Sequence, residues 1–309
     1  MSRRPVMIAV GGDSGSGKAT LCRGLELVFG SERFATVCLD DYHSLDRRQR
    51  QAVCLTAVDP RANNFAAMEE DLWALREGRS IDKPAYDHRS GTFAPATPLQ
   101  PKSVIVVYGL FPLYTRALRS LFDVTVWLDP EAELREAWKV GRDTISRGYT
   151  KDEVLAEIQR RAPDVARYVA PQASFADLTV SFYRPRGWTH EEGSARLSAR
   201  IRKGGRFRAL DYAEFESPST SIRLLDGTGT HGYPETVIEL DGHIEPHVAE
   251  LVEERLWLHI DAHVHRRPQG LGEFSDELGH TEKSHSLALA QLLIARRVVL
   301  IEEELLLST

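Results

Sequence analysis

The 309-residue chain is 42% hydrophobic and 27% charged, with a formal charge of −6 at pH 7. This composition supports a buried core and excludes wholesale disorder, and the net charge argues against nucleic acid as the main partner. Cys22, Cys38 and Cys54 are unevenly spaced and fit neither a disulfide framework nor a zinc site. No apolar run reaches about 18 residues, and the start of the chain leads directly into a predicted strand. We therefore expect a cytoplasmic protein without a membrane partner.

Apolar runs of strand length alternate with helical patterns through the first part of the chain. The runs are continuous, which is typical of strands covered on both faces. Strands are predicted at 6–10, 35–39, 104–107, 122–128 and 178–182, and helices at 20–29, 66–77, 113–120, 132–146 and 151–161. The alternation predicts an α/β fold with a mostly parallel sheet flanked by helices. Ligands should bind at the carboxyl ends of the strands.

The composition changes near residue 184. Residues 184–210 are rich in Arg, Gly and Ser and are interpreted as a linker between a domain at 1–183 and a smaller α/β extension at 211–309. In the extension, strands are predicted at 221–225 and 236–240, and helices at 244–258 and 284–307. The last helix suits a homodimer interface or, more commonly, packing on its own chain. Its apolar residues are Leu287, Leu289, Leu292, Leu293, Val298 and Val299.

A phosphate-binding loop follows the first predicted strand and leads through Thr20 into the first helix. Its sequence is Gly12-Asp13-Ser14-Gly15-Ser16-Gly17-Lys18-Ala19. The backbone N–H groups of such a loop surround a phosphate, and Lys18 adds positive charge for the β and γ oxygens. The helix directs its positive end at the same anion. The loop predicts a nucleotide site, but Ala19 lacks the hydroxyl that ligates Mg²⁺ in such loops.

Acidic and imidazole groups follow the second predicted strand, in Leu39-Asp40-Asp41-Tyr42-His43. A carboxylate at this end of the sheet can accept the proton of a substrate hydroxyl during phosphoryl transfer. The alternative is an exposed acidic turn or a helix cap. The phosphate-binding loop upstream favours the catalytic interpretation.

Charged residues share one face of the helix predicted near residue 140. Lys139, Arg142, Asp143 and Arg147 are separated by offsets that place them together. They suit contacts with ATP or a sugar phosphate, and the alternative is a solvated face with an internal ion pair. Arg161 adds a cation on the next helix.

A proline-containing segment, Lys83-Pro84-Ala85-Tyr86-Asp87-His88, is predicted as a loop between a helix and a strand. It suits a loop that contacts substrate through Lys83, Tyr86 and His88. A proline-set turn with polar surface residues is the alternative.

In this order, the four features resemble the phosphoribulokinase/uridine kinase family of P-loop kinases, and phosphoribulokinases most of all, over about residues 5–182. The most specific segments are residues 38–47, 59–65 and 138–150. The resemblance implies a P-loop kinase fold with a smaller C-terminal extension. It also implies ATP- and Mg²⁺-dependent phosphorylation of D-ribulose 5-phosphate at its C1 hydroxyl, giving ribulose 1,5-bisphosphate, a Calvin cycle step.

The resemblance also implies roles for single residues. Asp40 matches the catalytic base, and Lys18 and Asp143 are the further catalytic residues. His43 and Arg47 match sugar-phosphate contacts. Lys139, Arg142, Asp143 and Arg147 match a mobile segment that contacts ATP and the second substrate, and Arg161 is assigned to the substrate side. Lys83, Tyr86 and His88 match a substrate-side loop.

The chain departs from the family pattern at the expected metal ligands. Ala19 replaces Ser or Thr, Tyr108 replaces a Glu, and Phe111 replaces a polar residue, so the metal ligands are unassigned. Ser16 stands where plant and cyanobacterial members have the partner of the cysteine matched by Cys38, so we expect no thiol switch. The substitutions leave open a non-catalytic relative, and a uridine kinase-like enzyme is a further alternative. The cations favour a phosphorylated acceptor.

Overall fold

A computed structural model describes residues 4–189, 196–203, 215, 219–228, 234–260 and 268–307. The strands are β1 (Val6–Gly12), β2 (Phe34–Cys38), β3 (Ile81–Asp87), β4 (Thr92–Leu99), β5 (Val104–Gly109), β6 (Val124–Leu128), β7 (Leu178–Tyr183), β8 (Ser198–Lys203), β9 (Ile222–Thr228), β10 (Pro234–Leu240), β11 (Glu273–Ser275) and β12 (Thr281–Lys283). The helices are α1 (Lys18–Phe29), α2 (Arg47–Ala52), α3 (Phe65–Arg76), α4 (Arg116–Ser120), α5 (Ala132–Arg147), α6 (Lys151–Asp164), α7 (Pro246–Leu258) and α8 (His285–Leu307).

The central sheet has the order β2-β5-β1-β6-β7-β8-β10-β9. Strands β2, β5, β1, β6 and β7 are parallel, whereas β8, β10 and β9 pair antiparallel. The residues of β1 and β6 are buried along their whole length, because helices cover both faces of the sheet. The predicted α/β fold with a mostly parallel sheet is confirmed, and the carboxyl ends of β1, β2 and β5 lie side by side.

The segment predicted as a linker contains strand β8, so that part of the prediction is wrong. Leu197, Ala199 and Ile201 are buried and alternate with polar residues, as in a strand with one covered face. Arg200, on the other face, donates to Glu239 of β10 at 2.6 Å. The C-terminal strands therefore extend the main sheet. Residues 190–195 and 204–210 of the predicted linker lie outside the described residues, and the proposed boundaries at 184 and 210 stay predictions.

The segment predicted as a loop at 83–88 is mostly strand. It forms β3, which pairs antiparallel with β4. The pairing shifts register between Lys83 and Ala85, at Pro84, which has no N–H to donate. Proline masked the strand pattern because it is rare in strands except at edges and bulges.

The apolar face of α8 is covered by its own chain. The six residues that suited a homodimer interface are all buried in the main core. Close packing against α1 depends on Gly24, where an added Cβ would lie 2.1 Å from the Gln291 side chain. The homodimer therefore stays a prediction, and the six buried residues of α8 do not supply an exposed apolar face for its interface. None of the described helices is both long and apolar enough to cross a membrane.

Candidate active site

The phosphate-binding loop joins β1 to α1 at the carboxyl edge of the sheet. Gly15 and Gly17 have φ values of +86° and +88°, which favour glycine. Lys18 Nζ donates to the backbone oxygens of Gly12 at 2.8 Å and Asp13 at 2.7 Å. The ammonium group is therefore held over the loop, where a phosphate would bind.

The environment of Lys18 changes its acidity. Burial disfavours the ammonium form and lowers the pKa of Lys18 to about 8, although Asp40 and Asp13 partly oppose the shift. A bound polyphosphate would add negative charge and favour the protonated form. The loop therefore couples anion binding to proton uptake at Lys18.

Asp13 of the loop is held by two arginines from different helices. Arg135 of α5 contacts one carboxylate oxygen, and Arg161 of α6 contacts the other. Arg161 was predicted as a substrate contact, whereas its side chain lies on the loop. Arg135 was not predicted, although its helical spacing from Lys139 and Arg142 offered the signal. The two ion pairs fix α5 and α6 over the loop.

Helix α5 approaches the loop closely. An added Cβ at Gly15 would lie 2.8 Å from Lys139 Cβ, so only glycine permits this contact. Arg142 donates to the Ser14 hydroxyl at 3.0 Å. The helix and the loop therefore form one continuous surface.

Asp143 brings together the cations predicted on α5. Its carboxylate lies 2.6 Å from Lys139 Nζ, 2.8 Å from Arg142 and 3.3 Å from Arg147. Burial alone would raise the pKa of Asp143, but the arginine and lysine partners outweigh it and lower the pKa below its usual range. The shared face is as predicted, and the internal ion pair of the alternative is also present, between Asp143 and Arg147 at 3.3 Å. The face is not solvated at Lys139 and Asp143, which are buried.

Asp40 lies after β2, in a single 3-10 turn at Leu39–Tyr42. Burial alone would raise its pKa, but Lys18, followed by His88, His43 and Arg147, outweighs that effect and lowers the pKa. Asp40 is therefore a carboxylate at neutral pH. It can accept a hydrogen bond from a substrate hydroxyl beside the loop lysine.

His43 lies in a buried polar cluster beside Asp40. Its Nδ1 is 3.0 Å from Asn63 Oδ1, and its ring meets the Tyr86 ring edge-on at 4.9 Å. Burial and the charge of Arg50 lower the pKa of His43 to about 4. The imidazole is therefore neutral at physiological pH and suits a hydrogen bond rather than an ion pair with a substrate.

The remaining predicted contacts are engaged within the protein. Lys83 Nζ lies 2.5 Å from Asp41. The Tyr86 hydroxyl donates to the Gly91 oxygen at 2.9 Å and receives a hydrogen bond from Arg50.

Arg47 donates to the backbone oxygens of His88 and Arg89. Of the segment at 83–88, the structure places only the His88 side chain on the main cleft. Substrate contacts by Lys83, Tyr86 and Arg47 remain predictions.

The expected metal ligands are absent from the floor of the cleft. Tyr108 pairs with Cys38 on the neighbouring strand, and burial raises the pKa of the Tyr108 phenol, so it is neutral. Within the described part of the chain, no three His, Cys, Asp or Glu side chains are grouped as a metal would require. With Ala19 in the loop, these side chains do not fit a Mg²⁺ ion held by the protein alone.

A cleft of about 530 Å³ connects these groups. The phosphate-binding loop, with Lys18, lines the cleft. Polar groups that include Asp40 and His88 line one part, and aromatic residues that include Trp138, Phe182 and Phe274 line another. The aromatic part was not predicted, because its residues come from helix α5, strand β7 and a hairpin far apart in sequence.

The chain is similar to known proteins of one family. The model of the "Phosphoribulokinase / Uridine kinase family" matches residues 7–186, more than half of the chain. The phosphoribulokinase of Synechocystis sp. is 46% identical over 233 residues, which cover 75% of this chain and 70% of that protein. The chloroplastic phosphoribulokinase of Spinacia oleracea is 32% identical over 292 residues, covering 81% of this chain and 73% of that protein.

The fold is also similar to that of a solved structure. The phosphoribulokinase from Rhodobacter spheroides superposes with a TM-score of 0.59 at 18% identity, covering 85% of this chain and 99% of that one. This likeness concerns the fold alone. The family match and the two relatives establish that the chain belongs to the phosphoribulokinase/uridine kinase family.

Proposed function

We propose that the chain is an ATP-dependent kinase that phosphorylates D-ribulose 5-phosphate to ribulose 1,5-bisphosphate. The observation that carries the proposal is the position of Asp40, an ionised carboxylate in the same cleft as Lys18 of the phosphate-binding loop. The relatives at 46% and 32% identity are named phosphoribulokinases. A catalytic base and a phosphate-binding site are the two features that phosphoryl transfer from ATP to a sugar hydroxyl requires.

The proposed chemistry follows from the charges around the cleft. Asp40 accepts a hydrogen bond from the C1 hydroxyl, orients its oxygen toward the γ-phosphorus and takes the proton as the new P–O bond forms. The bond from the γ-phosphorus to the oxygen that bridges to the β-phosphate breaks at the same time, and ADP is the leaving group. Lys18 and Arg142 lie where they can balance the charge that develops on the phosphoryl oxygens. Because Asp143 fixes the α5 cations in advance, little reorganisation is needed during transfer.

Mg²⁺ is proposed to enter with ATP, held mainly by phosphate oxygens and water, since the protein supplies few ligands. When bound, it neutralises charge on the β- and γ-phosphates. The residues of this chain supply the remaining positive charge through Lys18 and the cations bound to Asp143.

A phosphorylated acceptor suits the site better than a neutral nucleoside. Arg147 lies close enough to Asp40 to lower its pKa, so a cation faces the acceptor side of the cleft. A sugar phosphate would give Arg147 a second anionic partner beside Asp143, whereas uridine would add none.

The test measures ADP release with Mg-ATP and either ribulose 5-phosphate or uridine. We expect turnover with ribulose 5-phosphate, and a loss of about 10³-fold in kcat for Asp40→Asn with a small change in KM. Asp46→Asn is the matched control, because Asp46 only caps α2. Inactivity with ribulose 5-phosphate, or equal activity of Asp40→Asn, would overturn the proposal.

A further inference from the structure

The aromatic part of the cleft is a compartment that the proposed chemistry does not use. Phe182 of β7, Phe274 of β11 and Leu287 of α8 are buried there. The Trp138 ring of α5 meets Phe182 at 6.4 Å and Phe274 at 6.3 Å, both edge-on. The compartment is therefore a preformed apolar space whose walls come from four elements.

The compartment adjoins the phosphate-binding loop directly. An added Cβ at Gly17 would lie 3.8 Å from the six-membered ring of Trp138. Ala19 and Thr20, in the first turn of α1, line the same cleft. A ligand whose phosphates occupy the loop can therefore extend into the aromatic compartment without leaving the cleft.

The β11–β12 hairpin (Glu273–Lys283) lines this compartment and packs on α5. An added Cβ at Gly141 would lie 2.5 Å from the Glu277 backbone oxygen and 2.8 Å from its Cα. At the tip, an added Cβ at Gly279 would lie 3.2 Å from Ile145 Cδ1. The hairpin is thus held against the helix that carries the phosphate-facing cations, at a distance that only glycine at position 141 allows.

The turn of the hairpin is fixed by its own carboxylate. Asp276 accepts hydrogen bonds from the backbone N–H groups of Leu278 at 2.9 Å and His280 at 2.8 Å. Ser275 and Asp276 also line the cleft. The hairpin therefore presents the buried Phe274 ring to the compartment beside a defined turn.

We propose that the β11–β12 hairpin forms the base-binding end of the nucleotide cleft, and that Gly141 is the positioning residue that lets it pack on α5. The ligand is the planar aromatic base of a nucleotide, which suits walls of Trp138, Phe182 and Phe274. The polar part of the cleft, with Asp40 and His88, is then left for the acceptor. The inference rests on the proposed function for its nucleotide.

The experiment compares two probes by calorimetry, ADP and inorganic tripolyphosphate, which has phosphates but no base. Phe274→Ala should weaken ADP binding about 10-fold, the scale of a lost base–aromatic contact, and leave tripolyphosphate binding within about twofold. Phe274→Leu should retain part of the affinity for ADP. Leu278→Ala is the matched control on the same hairpin, because Leu278 is 69% exposed.

Gly141→Ala tests the packing itself. The added Cβ meets backbone atoms that cannot rotate away, so the hairpin must shift, and ADP binding should again weaken about 10-fold while tripolyphosphate binding holds. Gly227→Ala is the control, since Gly227 has open space and no positive φ. Equal loss for both probes, or unchanged ADP binding in both variants, would overturn the inference.

These measurements separate the inference from the proposed function. Both probes bind without acceptor or turnover. A chain that binds ADP through the hairpin but does not phosphorylate ribulose 5-phosphate contradicts the proposed function alone. A chain that binds tripolyphosphate and is indifferent to the base contradicts the inference alone.

Discussion

Tyr108 and Cys38 occupy paired positions on the parallel strands β5 and β2, and both residues line the cleft. Burial raises the pKa of the Cys38 thiol to about 12, and it raises the pKa of the Tyr108 phenol as well. Both groups are therefore neutral at physiological pH. The position where the family resemblance implies a carboxylate thus contributes no charge to a metal ion.

Restoring both absent groups should strengthen metal binding. In the double variant Ala19→Ser, Tyr108→Glu, a hydroxyl and a carboxylate return beside the phosphate-binding loop. Because Mg²⁺ prefers oxygen ligands in octahedral geometry, we expect the half-saturating Mg²⁺ concentration for ADP release to fall about 10-fold. The measurement is a Mg²⁺ titration at saturating ATP and ribulose 5-phosphate.

Tyr108→Phe is the control for this pair, since it removes the hydroxyl and keeps the ring. It should leave the Mg²⁺ dependence unchanged. If the double variant and Tyr108→Phe titrate alike, the floor of the cleft does not contribute to metal placement.

Asp143 should matter through the cations that it holds. Asp143→Asn removes the charge that fixes Lys139, Arg142 and Arg147, and it leaves the Lys139 ammonium buried without its partner. We expect a kcat at least about 10²-fold lower and a higher KM for ATP, because the cations no longer stand in place for the phosphates. Steady-state kinetics with varied ATP measure both.

Glu157→Gln provides the comparison for Asp143→Asn. Glu157 pairs with Arg160 at 2.6 Å on the exposed face of α6, and such surface pairs contribute little. Kinetics close to those of the unaltered chain are expected. A similar loss of kcat in both variants would mean that Asp143 acts only through general stability.

The site residues on single elements were predictable from sequence, whereas those that depend on distant elements were not. The phosphate-binding loop is one continuous segment after a strand, and the α5 cations lie three or four residues apart on one helix. Local strand and helix geometry therefore predicts which residues are grouped. The pairing of Asp13 with Arg135 and Arg161 joins three elements and leaves no local pattern. The same holds for Phe274, which lines the cleft from a hairpin that packs on Gly141.

The strands of the sheet likewise divide into those that the sequence predicted and one that it did not. Continuous apolar runs identified the parallel strands, because both faces of those strands are covered. Strand β8 was missed because Arg200 and Arg202 alternate with Ala199 and Ile201, and this basic composition made the segment resemble a linker. The alternation itself was the available signal.

Nucleotide binding should take up a proton at Lys18. Its pKa of about 8 in the free protein means that about half of the ammonium groups are neutral at pH 8. Anionic phosphates favour the charged form, so ADP should bind with uptake of up to about half a proton at pH 8 and almost none from Lys18 at pH 6.5. Affinity should fall as the pH rises above 8.

Calorimetry in buffers of different ionisation enthalpy measures this uptake. Lys18→Arg is the control, because a guanidinium stays protonated and its binding should show no uptake at this position. The role of Lys18 would be contradicted if both proteins took up the same number of protons at pH 8.

Because His43 is buried, the free energy of unfolding should decrease at mildly acidic pH. The pKa of His43 is about 4 in the folded chain, below the usual value near 6.5 of an exposed imidazole, because burial and Arg50 disfavour the charge. Between pH 4 and pH 6.5, the imidazole is therefore mostly protonated in the unfolded chain and mostly neutral in the folded chain. The contribution to stability is complete above pH 6.5 and is lost as the pH falls toward 4, by up to roughly 3 kcal/mol.

Urea unfolding between pH 5 and 7.5 tests this dependence. His43→Gln keeps a polar side chain near Asn63 but cannot be protonated, so its free energy of unfolding should fall less on acidification than that of the unaltered chain. His247→Gln is the control, since the His247 side chain is 76% exposed. Equal acid sensitivity of all three proteins would place the titrating group elsewhere, and a His43 resonance that titrates near pH 6.5 by NMR would contradict its burial as a neutral imidazole.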